Sequence, residues 1–132
     1  MRGRKGFTLI ELILVIAILG ILAISALPRF LNLSTQAEQA SRDGVIGAVR
    51  AGIALSRAND MVTNGGAGSY PATLDAVADA TACATATPCF GTVLSNGVED
   101  GSWTKVDGIH YTFNDGTAVT TYTYTVANGT FQ

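Results

Sequence analysis

Charged side chains are the scarcest class in this sequence. They make up 14% of its 132 residues, against 48% hydrophobic ones. None at all occurs between Leu12 and Leu27. A surface in water needs charge at shorter intervals, so this run must lie in lipid or against other protein. Basic residues also vanish toward the C-terminus. From residue 61 onward Lys105 stands alone against Asp75, Asp79, Glu99, Asp100, Asp107 and Asp115. A phosphate backbone is bound by clusters of Lys and Arg, so nucleic acid is not an expected partner of this part. His110 is the one histidine, and there is no glycine-rich phosphate loop. With no nucleophile–base pair to place, the sequence gives no support for an enzyme, and no cofactor is expected.

Cysteine is nearly absent too: Cys83 and Cys89 are the pair. Together with one histidine they offer too few ligands for a structural zinc site. Their spacing is wider than the Cys-x-x-Cys of redox pairs. An even count in an exported domain points to a structural disulfide. The ring is short and contains Pro88, so its entropic contribution falls at the low end of the usual ~2–4 kcal/mol. Four Asp-Gly pairs, at 43–44, 100–101, 107–108 and 115–116, raise calcium. None has the spacing of a calcium-binding loop, turns account for them, and no metal is expected.

What the sequence does have is concentrated at its start. Arg2, Arg4 and Lys5 precede Gly6-Phe7-Thr8-Leu9-Ile10-Glu11, and an apolar stretch follows to Leu27. Phe7 to Leu27 as a helix spans about 30 Å, the hydrocarbon thickness of a bilayer. The positive leader places the N-terminus in the cytoplasm and the C-terminal part across the membrane. A secretory signal peptide cut near Ile24-Ser25-Ala26 is the rival reading, and a plain uncleaved anchor is another. Glu11 argues against both: a charge at the bilayer centre costs about 2.5–3.5 kcal/mol on insertion scales. Either it lies shallow enough to escape that cost, or something pairs with it.

The helix is expected to run from about Phe7 to Asn59. Pro28 should kink it rather than end it. Beyond Pro28 the pattern becomes amphipathic, with Ala37, Ser41, Val45, Ala48, Val49, Gly52 and Ile53 on one face. Glu38 and Arg42 form an expected ion pair on the helix surface. Gly44, Gly47 and Gly52 each weaken the helix by up to ~1 kcal/mol relative to Ala, so close packing is expected to compensate. Residues 63–69 read as a loop, and 70–77 as a short helix with Pro71 near its start. Residues 81–102 look irregular. From Trp103 the period becomes two: Ile109, Tyr111 and Phe113, then the turn Asn114-Asp115-Gly116, then Tyr122, Tyr124 and Val126. A third strand is expected at Val93 or Thr130. His110 reads as an ordinary solvent-side strand residue. The fold class is therefore α+β. The expected segments are a leader (1–6), a transmembrane helix (7–28) and its amphipathic continuation (29–60). A loop region (61–102) and an antiparallel hairpin (103–132) follow, and the sheet packs on the second half of the helix.

Arg4-Lys5-Gly6-Phe7-Thr8-Leu9-Ile10-Glu11, the uncharged run and the position of Pro28 resemble type IV pilins and pseudopilins. Leu27-Pro28-Arg29-Phe30-Leu31-Asn32-Leu33 and Tyr70-Pro71-Ala72-Thr73-Leu74-Asp75 are similar to segments of the mannose-sensitive haemagglutinin class. The resemblance implies cleavage by prepilin peptidase between Gly6 and Phe7 and N-methylation of Phe7. It implies that Phe7, Thr8, Glu11 and Pro28 serve assembly, with Glu11 pairing to the Phe7 amine of a neighbouring copy. It further implies an inner-membrane precursor, the assembly machinery there as partner, and a homopolymeric extracellular fibre used for adhesion, surface attachment and biofilm formation. The alternatives are a type II secretion pseudopilin and a DNA-uptake pilin. In one respect the sequence departs from the family. Many pilins pin a C-terminal segment with their disulfide, whereas Cys83 and Cys89 precede the hairpin and leave 90–132 outside.

Overall fold

A computed structural model describes Gly3 and residues 6–132, so the leader's Arg2, Arg4 and Lys5 lie outside the described residues. The chain divides into two units, Met1–Gln36 and Ala37–Gln132. Among the described residues the elements are one helix, α1 (Leu9–Asn64), and five strands. These are β1 (Thr81–Cys89), β2 (Val98–Lys105), β3 (His110–Asn114), β4 (Val119–Thr125) and β5 (Thr130–Phe131). This is the α+β architecture that the sequence predicts.

In the first unit α1 is apolar on every side. Its large hydrophobic side chains from Leu9 to Leu33 are exposed. The helix continues through Pro28, because a proline removes one backbone donor and its neighbours' hydrogen bonds persist. By length and composition α1 can cross a membrane.

In the second unit the C-terminal part of α1 lies against the sheet. Ile46, Val49 and Ile53 are buried, with Val45 and Gly52 beside them. The expected stripe is thus rotated: Ala37, Ser41 and Ala48 are exposed, and Ile46 takes their place. A large aliphatic side chain fills the space over aromatic rings that Ala48 would leave empty. Arg42 pairs with Asp43 at 2.9 Å rather than with Glu38. The helix also ends later than expected. Gly65, at φ 72°, sends its amide to the Met61 carbonyl and closes the last turn.

The sheet is an antiparallel meander in the order β1-β2-β3-β4-β5. The Asn114-Asp115-Gly116 turn joins β3 to β4 as expected, with Asn114 opposite Val119. Tyr111, Phe113 and Tyr124 point inward, while Ile109 and Val126 fall at the ends and stay partly exposed. They meet Phe90, Trp103 and Phe131 in an aromatic core; Phe90 and Tyr111 lie 4.6 Å apart, and Trp103 and Phe113 5.2 Å. β5 is the expected strand at Thr130, and Arg50 of α1 donates to the Phe131 carbonyl at its edge. Val93 forms no strand.

Two further expectations are corrected. The region 81–102 is not irregular, for β1 and the start of β2 lie within it. The sheet therefore begins at Thr81, not at Trp103. Its low hydrophobic contrast conceals it, because Ala and Thr alternate in β1 without a polar–apolar signal. Residues 70–77 do not form a helix. Their backbone is used in tertiary bonds instead: Thr92 donates to the Leu74 carbonyl, and the Tyr124 hydroxyl to that of Pro71.

Candidate functional site

The chain before α1 is non-helical at Gly6, Phe7 and Thr8. Phe7 is 91% exposed, and among the described residues no atom lies near Gly6 on the side a β-carbon would occupy. Gly6 and Phe7 are thus exposed and outside the helix. Helix α1 starts at Leu9 rather than at Phe7 because Thr8 caps it. The Leu12 amide donates to the Thr8 carbonyl, which is the first helical bond. The Glu11 amide donates to Thr8 Oγ1 at 3.3 Å. Glu11 Oε2 in return accepts from the Thr8 amide at 2.8 Å and the Thr8 hydroxyl at 2.9 Å. This is a capping box, and the signal for it, Thr-x-x-Glu, stands openly in the sequence.

The capping box bears on the cost of Glu11. The carboxylate lies in the first turn of α1, where the helix dipole favours negative charge. Its two hydrogen bonds come from its own turn and need no distant group.

A second carboxylate, Asp75, forms a site that the sequence did not reveal. Asp75 and Lys105 are 3% and 4% exposed. Lys105 Nζ lies 2.8 Å from Asp75 Oδ1 and also donates to the Val77 carbonyl. Asp75 Oδ1 accepts the Val77 amide; Oδ2 accepts the Phe90 amide at 3.0 Å and the Tyr111 hydroxyl at 2.9 Å. Burial, and then the neighbouring Asp75 charge, push the Tyr111 hydroxyl far above the usual phenol range. Lys105, the lone basic residue after Arg57, is thus an internal strut and not a surface charge. Phe90 holds φ 61°, a conformation that costs about 1–3 kcal/mol for a residue other than glycine. The bond from its amide to Asp75 helps to hold it there.

Cys83 and Cys89 are joined, as expected, with both sulfurs buried and Cα atoms 5.2 Å apart. An extended run between them would span far more. The register shows why: Ala84 faces Asp100, and Cys89 faces Val98. Residues 85–88 therefore bulge out of the ladder, and the disulfide closes the bulge. β1 is the outer strand, and a bulge there, with Pro88 lacking a donor, interrupts the edge that another strand would join. A surface groove of about 440 Å³ beside it is lined by Ala76, Val77, Ala86 and Pro88 among others, with no titratable side chain.

His110 lies on β3, as expected, with Nδ1 2.8 Å from Asp107. Among the described residues no group of three His, Cys, Asp or Glu is placed to hold a metal ion. The Asp-Gly pairs at 107–108 and 115–116 are turns, 100–101 lies in β2, and 43–44 is helical.

Residues 1–27 match the model of the prokaryotic N-terminal methylation motif. Over 52 residues, 39% of its length, the chain is 54% identical to the type IV narrow pilus major component PilA5 of Thermus thermophilus, covering 45% of that protein. Over 59 residues, 45% of its length, it is 41% identical to a fimbrial protein of Moraxella nonliquefaciens, covering 38% of that protein. The chain thus spans less than half the length of the curated relatives it matches. No solved structure matches it. The N-terminus carries the methylation motif, and the chain is similar to type IV pilus and fimbrial proteins.

Proposed function

We propose that this chain is a type IV pilin, a structural subunit that polymerises through its N-terminal helix into an extracellular fibre. The observation that carries the reading is the pairing of an exposed Gly6–Phe7 peptide and a methylation motif with a helix apolar on all sides. Each large apolar side chain is worth about 1.5–3 kcal/mol when withdrawn from water. More than a dozen of them, from Leu9 to Leu33, stand exposed, so the helix must be covered by lipid or by copies of itself.

The N-terminal geometry supports the following steps. The precursor sits in the inner membrane with its leader in the cytoplasm. Prepilin peptidase hydrolyses the Gly6–Phe7 peptide, and the freed amine of Phe7 is methylated. Glu11 is bonded to its own Thr8, so its second oxygen remains open to the Phe7 amine of a neighbouring copy as the assembly machinery adds subunits. A buried amine and carboxylate that meet in this way satisfy each other. Pro28 lies where one backbone bond is missing and the helix loosens most easily. Adhesion, attachment and biofilm formation are the roles proposed for the fibre. The likeness of residues 27–33 and 70–75 to mannose-sensitive haemagglutinin pilins favours them. A pseudopilin of type II secretion is the competing reading.

The test is the intact mass of the mature chain. It is expected to begin at Phe7 with one added methyl; a start near Ala26 or Leu27 would overturn the proposal. Electron microscopy of sheared cell-surface material separates pilin from pseudopilin, since recovery only from envelope fractions would favour the latter. Glu11→Ala is expected to leave cleavage intact and to abolish or slow fibre formation; normal fibre yield would refute the pairing.

A further inference from the structure

Three Asn-Gly dipeptides occur in the chain, at 64–65, 96–97 and 128–129. In this dipeptide the glycine amide can attack the asparagine side chain, because no β-carbon hinders the approach. Folding can prevent it by holding either reacting group. At the first site Asn64 Nδ2 donates to Asp60 at 2.7 Å, and the Gly65 amide donates to the Met61 carbonyl at 3.0 Å. At the third, Asn128 Oδ1 accepts from the Thr130 amide and hydroxyl, the latter at 2.7 Å. The Gly129 amide donates to the Thr125 carbonyl at 2.9 Å, and the Tyr70 ring packs against Gly129. Both reacting groups are restrained at both sites.

Asn96 differs. It is exposed in the connection between β1 and β2. Neither its side chain nor the Gly97 amide makes a hydrogen bond to any described residue. The fold also fixes the glycine. Gly97 has φ 67°, and a β-carbon there would lie 2.7 Å from the Cys89 carbonyl oxygen and 2.9 Å from Pro88. The close approach to the disulfide-closed bulge therefore demands the residue that makes the dipeptide reactive.

We propose that Asn96 is a site of spontaneous deamidation in the folded protein. The Gly97 nitrogen attacks Asn96 Cγ, the Cγ–Nδ2 bond breaks, and the amide proton leaves with the departing ammonia. The resulting succinimide is opened by water at either carbonyl, giving aspartate or isoaspartate. The product is a new carboxylate beside Glu99 and Asp100, and in the isoaspartate form the main chain gains a methylene. The modified chain is thus more acidic on the face of the sheet's outer edge.

The test compares the three sites within one molecule. The full chain, disulfide intact and in detergent, is held in mildly alkaline buffer, and each Asn-Gly peptide is quantified over time by mass spectrometry. A denatured sample runs in parallel, in which the three sites are expected to react at comparable rates. In the folded sample Asn96 is expected to keep its denatured rate. Asn64 and Asn128 are expected to slow at least about tenfold, the factor that a local opening of about 1.4 kcal/mol imposes. The variant Asn96→Gln is expected to remove most of the acidic product. Slowing of Asn96 equal to that of the other two, or unchanged acidic product from the variant, would overturn the proposal.

Discussion

Glu11 and Asp75 show how differently the two units of this chain treat a carboxylate in apolar surroundings. Glu11 takes both its hydrogen bonds from Thr8, within a single turn. Asp75 gathers donors from Val77, Phe90, Lys105 and Tyr111, up to 36 positions away. The first arrangement stabilises a helix start and keeps an oxygen open to a group from outside. The second closes every acceptor and ties the loop at 75–77, the residue after the disulfide, and strands β2 and β3 into one core. A carboxylate satisfied locally is available for association; one saturated by tertiary contacts is a rivet.

The largest effect expected from breaking this contrast is at the rivet. Lys105→Met leaves Asp75 charged and buried without its cation, which costs about 3–5 kcal/mol. Trp103 is the sole tryptophan and fully buried in the head, so its fluorescence reports the head alone. The thermal midpoint by that signal is expected to fall steeply in Lys105→Met and to stay unchanged in Glu11→Ala. Equal midpoints in the two variants would abolish the distinction.

The disulfide comes next. Replacing Cys83 and Cys89 together by Ser opens a short ring, with an expected loss of about 2 kcal/mol in denaturant unfolding. The glycines of α1 sharpen the comparison further. A β-carbon on Gly52 would collide with the Val93 carbonyl, whereas Gly44 and Gly47 face open space. Gly52→Ala is therefore expected to destabilise the head by about 1–3 kcal/mol, despite its better helix propensity. Gly44→Ala and Gly47→Ala are expected to stabilise it by up to about 1 kcal/mol each. Circular dichroism melts of the three variants give the ordering.

The smallest effect is at the β3–β4 turn. Asp115 is held down to about 2, first by the Thr117 hydroxyl and then by the amides of Ala118 and Thr117. A depressed carboxylate stabilises the fold above its ordinary value, 3.8, and loses that contribution as the pH falls through about 2. A carboxyl titration by nuclear magnetic resonance is expected to place its midpoint there, and Asp115→Asn is expected to flatten the acid limb of stability slightly.

Much of this molecule was legible from local pattern. The apolar run, the amphipathic continuation, the β3–β4 turn and the disulfide pair are each encoded within a few residues of themselves. The capping box is equally local, since Glu11 is the third residue of the helix and bonds only to Thr8. The errors lie where local signals are silent. Ala and Thr in β1 carry no alternation, so a bulged edge strand read as irregular. Tyr70–Val77 has the composition of a helix start, yet Thr92 and Tyr124 claim its carbonyls. Lys105 gives no local sign of its partner, because Asp75 lies 30 positions away.

The sequence by itself determined the helix, its cap and the alternating strands, since spacing along the chain dictates which side chains share a face. Only the tertiary structure decided which face of the helix is covered, which of its glycines is required, and that Lys105 and Asp75 meet in the dark. Those depend on contacts between segments far apart in sequence. Such contacts exist only once the core has closed and water has left, and no local pattern records them.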